Sequence, residues 1–237
     1  MLIDVNTLFG PHPTASSEMS VDDLIAMLQK HQISKACTLS TLGGVFDANL
    51  GNTATRAACS EHPELIPVAT VNPTTYFSDP EPIYKLKQDG FKMVRLFPAD
   101  QGWPINFAPF SALVHALKVT GLPLMIRVGK LGEISDLMRV LEGFTAPLVL
   151  EGVDITLLPE AISAMKSHGN WYVETSNLLA SGAIGRVAEI VGAQRILLGT
   201  GAPFHPIAGV MNTIRLARFS EADSALVLGG NAARLLQ

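Results

Sequence analysis

Eight short apolar runs alternate with amphipathic stretches along the whole chain. They cover residues 2–5, 35–40, 66–71, 92–97, 124–128, 148–151, 171–175 and 196–199. Their starts recur at intervals of roughly 23–34 residues, the length of one strand plus one returning helix. Several runs are apolar on both parities, as suits parallel strands covered by helices on one face and packed inward on the other. Strands alternating with helices, with no second compositional zone, predict an α/β fold with a parallel sheet. Eight such units predict a closed (β/α)8 TIM barrel, with residues 1–237 forming one domain. An open doubly wound sheet would need a nucleotide fingerprint after the first strand. Asn6-Thr7-Leu8-Phe9-Gly10 is not G-x-G-x-x-G.

Helix ends are legible between the runs. Ser20 followed by Asp23 predicts a variant capping box opening the first helix. A helix over 107–119 should stop at Gly121, a natural C-cap. Ile134, Leu137, Met138 and Leu141 line one face of another, ended by Gly143. Residues 159–166, 187–191 and 207–217 supply further helices.

Composition excludes several classes. Charged residues make up 16% of the 237, against a usual figure of about 25%. With 48% hydrophobic residues, the chain is not intrinsically disordered. A net charge of −4 without a basic stripe argues against a nucleic-acid partner. No apolar run approaches the roughly 18 residues of a membrane span, and no charged segment of a signal peptide precedes the first strand. The expectation is a cytoplasmic protein with no membrane partner. Cys37 and Cys59 lack metal spacing and are too few for a disulfide framework. The low charge permits a homo-oligomer.

Several motifs then carry a resemblance. Ile3-Asp4-Val5-Asn6-Thr7-Leu8-Phe9-Gly10 is similar to the opening I-D-x-H-x-H-x-G of the amidohydrolase superfamily, in its amidohydrolase-related branch. His62-Pro63-Glu64-Leu65-Ile66-Pro67 leads into Val71-Asn72-Pro73, and residues 90–96 precede Pro98 in the manner of the branch. Gly199-Thr200-Gly201-Ala202-Pro203-Phe204 resembles its G-S-D-x-P-F, and residues 228–236 resemble its terminal L-G-x-N-A-x-R-L-L.

The resemblance implies the same barrel and a mouth built for hydrolysis or decarboxylation with one or two divalent metals, which activate water and polarise the scissile group. It also implies where the ligands would stand. The two first-strand histidines correspond to Asn6 and Leu8, and the strand-five histidine to Arg127. The strand-six histidine corresponds to Glu151, or to Gly152 if the alignment slips by one, and the strand-eight aspartate to Gly201. Leu8 and Gly201 have no donor atom and a guanidinium repels a cation. Asn6 and Glu151 alone fall short of the three or four donors zinc requires. The expectation is therefore no metal and no cofactor. Metal-free lactonases of the branch use the strand-eight aspartate as base, and Gly201 removes that route too.

What remains at the mouth suggests a small-molecule ligand, anionic if Arg127 is its contact. Arg127 and Glu151 lie on neighbouring strands at matching heights. Either they form a buried ion pair in the metal's place, or Arg127 offers its planar fork to a carboxylate or phosphate. His12 and His205 follow strands one and eight, which a closed barrel makes neighbours; they are either a general-base pair or idle turn residues. Glu174 ends strand seven and is catalytic if its parity turns it inward. Asn6 is a candidate ligand contact, and Trp103, in the loop after strand four, either packs that loop or covers a ligand. Three readings follow. The first is a metal-free small-molecule binder or pseudo-hydrolase. The second is an active hydrolase with rearranged residues, and the third a structural or regulatory subunit.

Overall fold

The computed structural model describes residues 1–11 and 18–237; His12 lies outside the described residues. The barrel expectation holds. Strands β1 (Ile3–Phe9), β2 (Lys35–Ser40), β3 (Leu65–Ala69), β4 (Met93–Leu96), β5 (Leu124–Arg127), β6 (Leu148–Glu151), β7 (Trp171–Glu174) and β8 (Ile196–Leu197) form one parallel sheet in sequence order. The sheet closes on itself. Val5 N donates to Leu198 O at 2.8 Å, Gly201 N to Asn6 O at 2.9 Å and Leu8 N to Ala202 O at 2.9 Å.

Each strand is buried on both faces because two separate cores need it. Val5, Leu8, Cys37, Leu39, Val68, Met93, Phe97, Met125, Val149 and Leu197 fill the barrel interior. The opposite parity, including Val94, Leu96, Leu124, Ile126, Leu148, Leu150 and Val173, packs against the outer helices. This two-sided burial is why the strands read as continuous apolar runs.

The outer layer comprises α1 (Val21–Lys30), α2 (Thr41–Val45), α3 (Ala48–Glu61), α4 (Glu81–Gln88), α5 (Ala108–Thr120), α6 (Glu133–Val140), α7 (Leu158–Ser167), α8 (Ala183–Val191), α9 (Ile207–Leu216) and α10 (Glu221–Ala225). Ser20 and Asp23 make the expected capping box on α1, and Gly121 ends α5 at φ 65°. Helix α3 carries no stripe of large apolar residues and packs through small ones. A Cβ on Gly51 would stand 2.2 Å from Gly43 Cα, so only glycine permits that approach of α3 to α2. The last helix, α11 (Asn231–Leu235), plugs the N-terminal end of the barrel with Ala232 and Leu235. Asn231 anchors it, donating to Ala193 O at 2.8 Å and Ile196 O at 2.7 Å. No helix among the described residues is long and apolar enough to cross a membrane.

Trp103 belongs to the outer core. Its indole is buried, 5.0 Å from the Phe110 ring, and its Nε1 donates to Gln101 Oε1 at 2.9 Å. It wedges the loop after β4 onto α5, the packing alternative of the two, and is not among the residues lining the mouth.

Candidate functional site

The mouth of the barrel lies at the C-terminal ends of the strands. Strand β1 reaches it through an irregularity in its pairing with β2 between Asp4 and Thr7. An irregularity of this kind shifts which side chains face inward. Val5 belongs to the interior, and beyond the shift Asn6 and Leu8 both line the mouth. Asp4 holds the shift in place. Its carboxylate accepts from Asn6 N at 2.9 Å, Thr200 N at 3.0 Å and Thr200 Oγ1 at 2.5 Å, which ties β1 to the segment after β8. Burial pushes the Asp4 carboxyl up to about 6 despite these donors.

Glu151 does not pair with Arg127, although the two are register partners. Its partner is Arg95 of β4, whose Nε and Nη2 donate to Oε2 at 2.8 Å and Oε1 at 2.6 Å. Both side chains are almost fully buried. Arg95 sits level with Met125 and so one residue pair deeper than Arg127. A guanidinium buried at that depth needs a counter-charge, and it takes the carboxylate bidentately. It also lies over the Phe97 ring, 4.9 Å from its centroid. Arg127, at the rim, stays about half exposed and pairs with Asp100 at 3.3 Å. Arg95 is thus the central cation of the mouth.

Glu174 points inward. Its Oε2 accepts from Ser176 N at 2.7 Å, and its Oε1 accepts from Ser176 Oγ at 2.7 Å and Gly152 N at 3.4 Å. Burial, added to by the charge of Glu151, pushes its carboxyl up to about 7. Asn6 Nδ2 donates to Ser176 Oγ at 3.4 Å, while Asn6 Oδ1 is buried and has no hydrogen-bond partner among the described residues. His205 occupies the space beside Gly201. A Cβ there would meet His205 Cδ2 at 2.5 Å and Ser176 Cβ at 3.1 Å.

Two connected spaces result. An outer vestibule of about 350 Å³ is walled by Leu8, Val45, Phe97 and Phe204, with Thr41, Asp100, Arg127 and His205 among its charged or polar groups. Beneath it a slot of about 30 Å³ is lined by Asn6, Arg95, Glu151, Ser176 and Asn177. Leu8, Arg127, Phe204 and His205 border both. Of the sequence candidates, the fold brings together Asn6, Arg127, Glu151, Glu174 and His205. Ser176 was not among them; its signal was its place two residues beyond Glu174, on the same parity at a strand's C-terminal end.

A family model described as Amidohydrolase matches residues 52–237. No curated protein sequence matches the chain. Among solved structures, 2,6-dihydroxybenzoate decarboxylase from Rhizobium is similar at 12% identity and a TM-score of 0.80, covering 99% of this chain and 98% of that one. 5-Carboxyvanillate decarboxylase from Novosphingobium aromaticivorans, solved with bound manganese, gives 14% identity and a TM-score of 0.78 over 100% and 97%. A putative 2-pyrone-4,6-dicarboxylic acid hydrolase from Pseudomonas putida gives 16% and 0.75 over 99% and 97%. At these identities the likeness is one of fold.

Proposed function

The chain belongs to the amidohydrolase family, and on that premise we propose that its mouth is a metal-free site for a small organic anion. The observation carrying this reading is the Arg95–Glu151 pair. Both oxygens of Glu151 are engaged by one guanidinium at 2.6 and 2.8 Å, and a metal ion would have to displace it. The remaining positions do not fit a divalent ion either. Leu8 and Gly201 offer no donor, Arg127 repels a cation, and Asn6 is a single weak oxygen. Among the described residues no group of three or more His, Cys, Asp or Glu could hold a metal.

Arg127 supports the choice of an anion. It stands where the vestibule meets the slot, and Asp100 contacts it at 3.3 Å from an exposed position. An exposed ion pair of that kind contributes about 0–1 kcal/mol, so an incoming carboxylate can take over the guanidinium. The apolar wall of Leu8, Val45, Phe97 and Phe204 receives the ligand's body. The test is calorimetric titration of acetate, benzoate and succinate into wild type and Arg127→Gln. At least one should bind, and the variant should lose about 10- to 150-fold in affinity, the value of a charged hydrogen bond. Equal binding by the variant, or no binding to wild type, would overturn the reading.

One observation favours the second reading, an active hydrolase with rearranged residues. The inward Glu174 carboxyl, pushed up to about 7, is buried behind the slot and bonded to Ser176, which lines it. A group that changes charge near neutral pH is suited to moving protons. The third reading, a purely structural subunit, predicts a plugged mouth, and the vestibule of about 350 Å³ speaks against it.

A further inference from the structure

We propose that Ser176 is an acyl-accepting nucleophile, with Glu174 as its base, for hydrolysis of esters or lactones of small organic acids. The proposal rests on the metal-free reading of the mouth.

Ser176 lies just past the C-terminal end of β7, the catalytic end of such barrels, and lines the slot. Its hydroxyl is placed by two contacts of opposite sense. It donates to Glu174 Oε1 at 2.7 Å and accepts from Asn6 Nδ2 at 3.4 Å. One lone pair remains for attack, and the proton already points at a carboxylate. That carboxylate is itself fixed, since Ser176 N holds Oε2 at 2.7 Å and Gly152 N lies 3.4 Å from Oε1. His205 flanks the serine at the Gly201 position, and the Arg127 guanidinium borders the same slot.

Size supports the substrate class. A water needs about 10–15 Å³ of such volume, so the slot of about 30 Å³ admits a carbonyl group and no ring. The substrate's body stays in the vestibule, against Leu8 and Phe97.

In the first step Ser176 Oγ bonds to the carbonyl carbon while its proton passes to Glu174. The carbonyl π pair moves onto oxygen, where Arg127 can stabilise it. Collapse re-forms the carbonyl and breaks the bond to the alkoxy oxygen, which leaves with the proton from Glu174. In the second step water gives a proton to Glu174 and attacks the acyl-serine. Ser176 Oγ leaves and recovers that proton. The sum is ester plus water giving acid plus alcohol.

The experiment treats full-length wild type, Ser176→Ala, Ser176→Cys and Glu174→Gln with a fluorophosphonate, followed by intact mass and peptide mapping. Turnover of p-nitrophenyl acetate is measured alongside, and melting curves confirm folding. The expected result is one adduct, on Ser176, absent from Ser176→Ala and slowed about 100-fold or more in Glu174→Gln. Ser176→Cys should recover acylation if Ser176→Ala is misfolded. An unlabelled wild type, or acetate-ester turnover unchanged in a folded Ser176→Ala, would overturn the proposal and leave Ser176 as a strand-end brace for Glu174. Elemental analysis of the same preparations separates the two readings. Stoichiometric metal sinks the metal-free reading, whereas metal-free protein without an adduct sinks Ser176 alone.

Discussion

Glu151→Gln keeps the shape of the side chain at the centre of the mouth and removes its charge. Arg95, with only 3% of its side chain exposed, then remains buried against a neutral amide. Breaking a buried pair in this way costs about 3–5 kcal/mol. For a chain of this length each kcal/mol lowers Tm by about 2–4 °C, so the variant should melt roughly 6–20 °C lower. Arg95→Met combined with Glu151→Leu removes both charges at similar volume, and such replacements are often neutral or stabilising. The double variant should therefore regain most of the loss. Thermal unfolding followed by circular dichroism is the assay. A Glu151→Gln protein melting within about a degree of wild type would refute the reasoning. So would a double variant melting no higher than the single one.

Two further perturbations address the same region. Glu174 is raised from 4.5 to about 7 and Asp4 from 3.8 to about 6, so between those values the folded protein holds protons that the unfolded chain has released. Stability then falls as pH rises from about 4 to about 7 and levels off above it; Glu174→Gln should remove about 3 kcal/mol of that slope, and denaturant midpoints at pH 5 and pH 8 with wild-type spacing would contradict this. Gly201→Ala meets φ 69° and His205 Cδ2 at 2.5 Å, and the backbone alone costs about 1–2 kcal/mol. Adding His205→Ala should relieve the clash and raise Tm above that of Gly201→Ala, and the reverse order would show that the imidazole does not fill the position.

The parts legible in sequence are those set by local pattern. The strands repeat because each is buried twice, and the Ser20 cap and Gly121 stop are chemistry within one turn. Helix α3 carried no such pattern, because Gly51 packs on Gly43 where a large-residue stripe would otherwise mark a buried face. At the mouth, register was inferred correctly and partnership was not. Arg127 and Glu151 are opposite one another, yet a long side chain from the level below reaches Glu151 first, and depth decides which arginine needs the carboxylate. The inward turn of Glu174 depends on parity, which the apolar-on-both-faces strands conceal. Asn6 and Leu8 share the mouth because of the irregularity held by Asp4, a contact across 196 residues.

The central claim is that the mouth, with its buried Arg95–Glu151 pair, takes no divalent metal. The most direct test is elemental analysis of protein purified without chelator, equilibrated with excess zinc and manganese, and passed through a desalting column. The account predicts metal far below one equivalent per chain. One equivalent of zinc or manganese retained by the wild-type protein would contradict it.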